Sequence, residues 1–168
     1  MSQTIEQFLR HRAVAAAARV LLTFPFWGSG LAKLIDFQGG VAEMAHFGLE
    51  PAVAFNIATV VVQLGGSLLI ILNRYTWLGA SALGIFTALT IPIVHHFWSM
   101  TEEPFRTIAF HTSAEHIGMI GALIVVSILA AYRNGSKVGL GPIGGRWGDE
   151  QPSPTPQSFV KTRASSSR

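Results

Sequence analysis

Nine side chains carry most of the chemistry this sequence offers: Lys33, Asp36, Gln63, His95, His96, Trp98, His111, Glu115 and His116. They stand inside or at the edge of long apolar runs, where a charged residue costs about 2.5–3.5 kcal/mol on insertion scales. Residues held at that expense face a protein interior and have partners. Glu115, His95, His96 and His116 are the candidates for proton transfer, since imidazole titrates near neutral pH and a carboxyl in apolar surroundings can exchange protons with it. Lys33, Asp36, Gln63, Trp98 and His111 are candidates for lining a cofactor pocket as donors, acceptors and an aromatic wall.

Spacing refines these assignments. His111 and Glu115 are four apart, so on a helix they share a face and can hydrogen-bond. His116 is rotated about 100° from Glu115, and His95 and His96 diverge in the same way. Lys33 and Asp36 are three apart and able to pair with each other, and His95-His96-Phe97-Trp98 also suits an interfacial aromatic belt. Arg19 is placed to snorkel its guanidinium to the interface. His111, Glu115 and one of His95 or His96 offer nitrogen and oxygen ligands, but a His and a Glu four apart are too common on helices to name a metal, and none is expected.

The elements that position these residues follow from composition. Of 168 residues only 12% are charged and 49% are hydrophobic, against about 25% charge in an ordinary soluble domain. With no Cys, disulfide scaffolds, Cys-zinc sites, iron–sulfur clusters and thiol redox chemistry are excluded. A bilayer core of roughly 30 Å requires about 20 apolar residues in a helix. Four stretches qualify, at about 13–35, 52–72, 77–98 and 108–132. In lipid each must satisfy its own backbone, so each is a helix. The expected fold is an all-α membrane protein, a four-transmembrane-helix bundle over residues 13–133, with a segment 1–12 before it and a disordered tail 134–168 after it. Pro25 and Pro92 are expected to kink the first and third spans.

Arg10, Arg12, Arg74, Arg133 and the tail hold most of the cations, whereas Asp36, Glu43, Glu50, Glu102 and Glu103 lie in the other two loops. Lys and Arg in short flanks mark the cytoplasmic side, so both termini are expected in the cytoplasm of an inner-membrane, multi-pass protein. The first span has no cleavage signature after it and is expected to stay in the mature chain. The net charge of +3 belongs to these flanks, where it meets anionic lipid, and gives no nucleic-acid site. In the first loop Gly39-Gly40 is expected to break the chain, with residues 41–47 forming a short interfacial helix before Pro51 opens the second span. In this orientation Lys33, Asp36, His95, His96, His111, Glu115 and His116 all fall toward the outer leaflet, with Gln63 near mid-membrane. One shared polar pocket is the expectation.

At these residues the chain resembles the DoxX family of small four-span bacterial membrane proteins. The matching stretches are residues 30–37, Met44-Ala45, Gly48-Leu49 with Pro51, Gly65-Gly66, Arg74 with Thr76, Phe86-Thr87, and His95-His96-Phe97-Trp98. The resemblance implies Arg19, Lys33, Asp36, His95 and Trp98 as the family's polar and aromatic positions. It also implies a link to oxidoreductases, since relatives look like partners of thiosulfate:quinone oxidoreductase, of a terminal quinol oxidase and of a superoxide dismutase complex. Two departures stand out: Gln63 where the family commonly has Glu, and Glu115-His116 where it commonly has Lys-Asn.

Three functions stay open on the sequence. One is a membrane subunit of quinone-dependent redox chemistry, an oxidoreductase subunit rather than a complete enzyme, with quinone as its cofactor and a redox enzyme as its partner. Another is a non-catalytic anchor or assembly partner for a soluble enzyme. The third is a small proton-coupled transporter, for which four short spans would require a homodimer joined at glycine-lined faces.

Overall fold

A computed structural model describes residues 3–135, and these are helical with short connections and no strand. In chain order the helices are α1 (Gln3–Arg10), α2 (Arg12–Leu22), α3 (Phe24–Ile35), α4 (Phe37–His46), α5 (Ala52–Ile71), α6 (Thr76–Val94) and α7 (Phe105–Gly135), with a 3-10 turn Phe97–Ser99 before α7. The expected tail 134–168 lies outside the described residues, apart from Asn134 and Gly135 in the last turn of α7. Helix α5, helix α6 with its 3-10 extension, and α7 are each long and apolar enough to cross a bilayer.

The first expected span is two helices, α2 and α3, bent by 56°. Four crossings therefore require that bent pair to count as one. Pro25 explains the bend: it has no N–H for the carbonyl four residues back, and its ring clashes with that turn. At the bend Trp27 Nε1 donates to Val20 O at 3.1 Å, and Thr23 Oγ1 adds a second bond at 2.8 Å to Arg19 O, which already accepts from Thr23 N. In the last turn of α2, Arg19 Nε donates to Ile71 O at 3.3 Å, meeting one of the unpaired carbonyls at the end of α5 rather than only snorkelling.

The first loop departs from expectation. Gly39 and Gly40 do not break the chain but lie inside α4, which Asp36 caps by accepting from Gly39 N at 2.9 Å. Gly40 is there for close approach, because a Cβ on it would stand 2.5 Å from Asn56 Oδ1. Likewise the third span does not run as one helix to Trp98. It ends at Val94, just after Pro92, and His95 and His96 sit in the connection to the 3-10 turn. Ser113 Oγ on α7 donates to His95 O at 3.2 Å and fixes that connection.

Helix α5 is the centre of the packing, touching α2, α3, α4 and α6, while α7 packs on α6. Its buried positions are Ala52, Asn56, Thr59, Gln63, Gly66, Ser67 and Ile70, spaced by three and four along one face. Where α5 crosses α6, a Cβ on Gly79 would lie 2.6 Å from Gly66 O, so the two backbones touch. Phe26, Ile70, Ala80, Leu83 and Leu123 then close one core from α3, α5, α6 and α7.

Gly79→Ala should push the helices apart and lower stability by about 1–3 kcal/mol. Gly118→Ala, at a position with open space around it, should be neutral or gain about 0.5 kcal/mol from helix propensity. Thermal unfolding in detergent micelles followed by circular dichroism distinguishes the two.

Candidate functional site

Above the apolar core, at the end of the bundle where α3 and α6 finish and α7 begins, lies a cavity of about 550 Å³. That volume suits a small-molecule or cofactor head. Its walls come from α3, α4, α5, α6 and α7. Phe26, Val62, Phe86 and Met119 belong to both the lining and the packed core, so the cavity floor is rigid side-chain packing. Most of the wall is apolar, and the polar groups are few and placed at particular heights.

Five of the nine sequence candidates reach this cavity: Lys33, Gln63, His95, Glu115 and His116. Lys33 pairs with Glu43 of α4 and not with Asp36, whose carboxylate is used as the helix cap. The Lys33 side chain is only 13% exposed and that of Glu43 is 47% exposed, so the pair hangs the short helix α4 over the cavity edge. The rings of His95 and His116 meet edge to face, 5.1 Å between centroids. The 100° separation of Glu115 and His116 does not keep either from the lining, because the cavity is wide enough to be faced by both.

The other four candidates lie elsewhere. Asp36 caps α4. His96 is half-buried in the connection and its carbonyl accepts from Ser99. Trp98 is exposed and packs on Phe97, which in turn packs on Phe110. His111 packs against Phe110, and no hydrogen bond joins it to Glu115. Among the described residues no group of three or more His, Cys, Asp or Glu is gathered so as to hold a metal ion.

Gln63 is a deeply buried polar group in the wall. It is 4% exposed, its Nε2 donates to Ser29 Oγ at 3.4 Å, and its Oε1 has no partner. The neighbouring hydroxyls are occupied differently: Thr87 Oγ1 donates to Leu83 O at 2.7 Å and Thr90 Oγ1 to Thr87 O at 2.8 Å. Such back-bonds satisfy a hydroxyl within its own helix.

Ser29, Glu43, Thr59, Thr87 and Thr90 line the cavity but were not among the sequence candidates. Their signal was present as spacing: Ser29 stands four before Lys33, and Thr59 four before Gln63.

Comparison with known proteins places part of this cavity within a family. The DoxX family model matches residues 14–96, the stretch that supplies the α3, α4, α5 and α6 walls. Glu115, His116 and Met119 of α7 lie beyond it. The inner membrane protein YphA of Escherichia coli (strain K12) is 32% identical over 86 residues, 51% of this chain and 61% of that relative. The chain thus spans about three-fifths of the length of that curated relative. No solved structure matches the chain.

The Lys33–Glu43 pair is testable on its own. Glu43→Gln should destabilise by about 1–3 kcal/mol by leaving a largely buried ammonium without its carboxylate. Lys33→Met with Glu43→Gln should lose less than the sum of the single losses, by about 1 kcal/mol. Denaturant or thermal unfolding of the four proteins in micelles supplies the cycle; strict additivity would show that the pair does no structural work.

Proposed function

This chain is a DoxX-family membrane protein, and from that premise we propose that it is the membrane subunit of a quinone-linked redox system, its cavity holding the quinone head. The observation that carries this reading is the cavity itself: about 550 Å³, mainly apolar, with Lys33, His95, Glu115 and His116 on its wall and Gln63 deeper in. A neutral ring with two oxygens and an apolar tail needs that combination. The lining carries one ammonium against two carboxylates, Glu43 and Glu115, which suits a neutral head better than an anionic one.

When bound, a quinone supplies two-electron, two-proton chemistry. Its electrons would be exchanged with a redox centre in a partner enzyme. Protons are the concern of this chain. The imidazole of His95 or His116 accepts or returns a proton at a ring nitrogen, and Glu115 beside them is the next carrier toward solvent. Lys33, already oriented by Glu43, keeps two ammonium protons for a ligand oxygen. With both termini in the cytoplasm, as the cation distribution argues, the cavity opens near the outer leaflet. His96, Asp36, Trp98 and His111 have no part in this arrangement, and the domain division that goes with it is residues 1–12, 13–133 and 134–168.

Binding of a short-chain ubiquinone to the protein in lipid nanodiscs, read by quenching of tryptophan fluorescence, tests the proposal. Saturable binding is expected, weakened about tenfold, or about 1.4 kcal/mol, in His95→Phe combined with Glu115→Gln. Binding unchanged by that pair, with no redox enzyme recovered after cross-linking in membranes, would contradict it and point to an anchor that docks a soluble enzyme through its loops.

A further inference from the structure

Hydrogen-bonding capacity in the cavity lies at two heights. At the outer height are Lys33, His95, Glu115 and His116. At the inner height is the Gln63–Ser29 pair. Ser29 and Lys33 are four apart on α3, so the two heights differ by one helical turn, about 6 Å. Along the cavity wall the threonine hydroxyls are engaged, Thr59 with Met44 Sδ, Thr87 with Leu83 O and Thr90 with Thr87 O. What remains unmet there is the Oε1 of Gln63, on a side chain more than nine-tenths buried that forms part of the cavity wall. An amide oxygen left without a donor in apolar surroundings is unfavourable, and none of the described residues relieves it.

Resting on the quinone reading of this cavity, we infer that the site grips both oxygens of a para-substituted ring, the outer one at Lys33 and the histidine pair and the inner one at Gln63 and Ser29. Two C=O bonds of about 1.23 Å on opposite corners of a six-membered ring put the oxygens roughly 5 Å apart, close to the one-turn separation of the two heights. Gln63 suits both redox states of such a ring. With its side chain turned into the cavity, its Oε1 accepts from a ring hydroxyl. Turned over, its NH₂ donates to a ring carbonyl while its oxygen accepts from Ser29 Oγ. A carboxylate at this position could only accept unless protonated, so glutamine allows the inner oxygen to be held without a buried charge. The ligand class is thereby narrowed to para-quinones and their quinols, with the tail leaving from the side of the ring. Rings bearing a single oxygen fill only one of the two heights.

The test compares two probes carrying the same alkyl tail, decylbenzoquinone and 4-decylphenol, in nanodiscs. The native protein should bind the quinone at least about tenfold more tightly, since a site built for a polar group penalises a ligand lacking it. Gln63→Leu should bind the two probes equally, near the level of native protein with the phenol, and Ser29→Ala should show a smaller loss of preference. Ligand-free Gln63→Leu should melt at the same temperature as the native protein or higher, because an orphaned polar group is replaced by an apolar one of similar size. Equal binding of the two probes by the native protein would overturn the inference while leaving the quinone reading intact, as would a retained preference in Gln63→Leu. A lowered melting temperature in Gln63→Leu would also overturn it, by making the amide a structural group. Failure of the native protein to bind either probe would instead remove the quinone reading, and this inference with it.

Discussion

Backbone contact between α5 and α6 at Gly66 and Gly79 determines how the remainder of the molecule can be arranged. With no side chain between them, the two helices meet close enough that one glycine's Cβ would strike the other's carbonyl. Gly30 does the same for α3, where a Cβ would lie 3.0 Å from Leu64 and 3.1 Å from Gln63. Van der Waals packing of this kind holds helices together in lipid, where the hydrophobic effect gives little preference for helix over acyl chain. Leu83 and Ile70 fill the space beside the crossing and are completely buried. Farther along the same helices large apolar side chains return, and the space they do not fill is the cavity.

Polar side chains within the bundle follow a single rule, from which three atoms depart among the described residues. In an apolar medium each must find a partner or be unfavourable. Thr23, Thr87, Thr90, Ser113 and Ser127 turn their hydroxyls back to carbonyls of their own helix. Lys33 takes Glu43, and Asn56 donates to Phe37 O at 3.3 Å. Asn56 Oδ1 and Ser67 Oγ are unpaired as well, but both are away from the cavity wall. Gln63 combines burial, an open valence and a position on that wall. This coincidence makes it the most informative residue in the chain.

How much of this was readable from sequence depends on the range of the interaction. Apolar runs located α5, α6 and α7, because hydropathy over about 20 residues is a property of the segment itself. The direction of the spans likewise placed Lys33, His95, Glu115 and His116 toward one end, with Gln63 near the middle. Partner choice was not readable. Lys33 had Asp36 one turn away, yet pairs with Glu43, because the bend after α3 brings α4 back across the mouth and Asp36 is consumed as its cap. Gly39-Gly40 read as a break since glycine weakens isolated helices, whereas here the missing side chains let α4 lie against Asn56 and Asp36. Pro25 signalled a kink, but neither its size of 56° nor the bond by which Trp27 serves Val20 O was readable from the segment alone.

The most direct measurement of the account is the quinone content of protein purified from its native membranes, extracted and resolved by chromatography. Native protein should carry isoprenoid quinone in stoichiometric amount. Ala58→Trp, which adds a large ring at the α5 wall of the cavity, should carry almost none. Quinone at the background level of an unrelated membrane protein, or an undiminished amount in Ala58→Trp, would contradict the claim that this cavity is where the ligand sits.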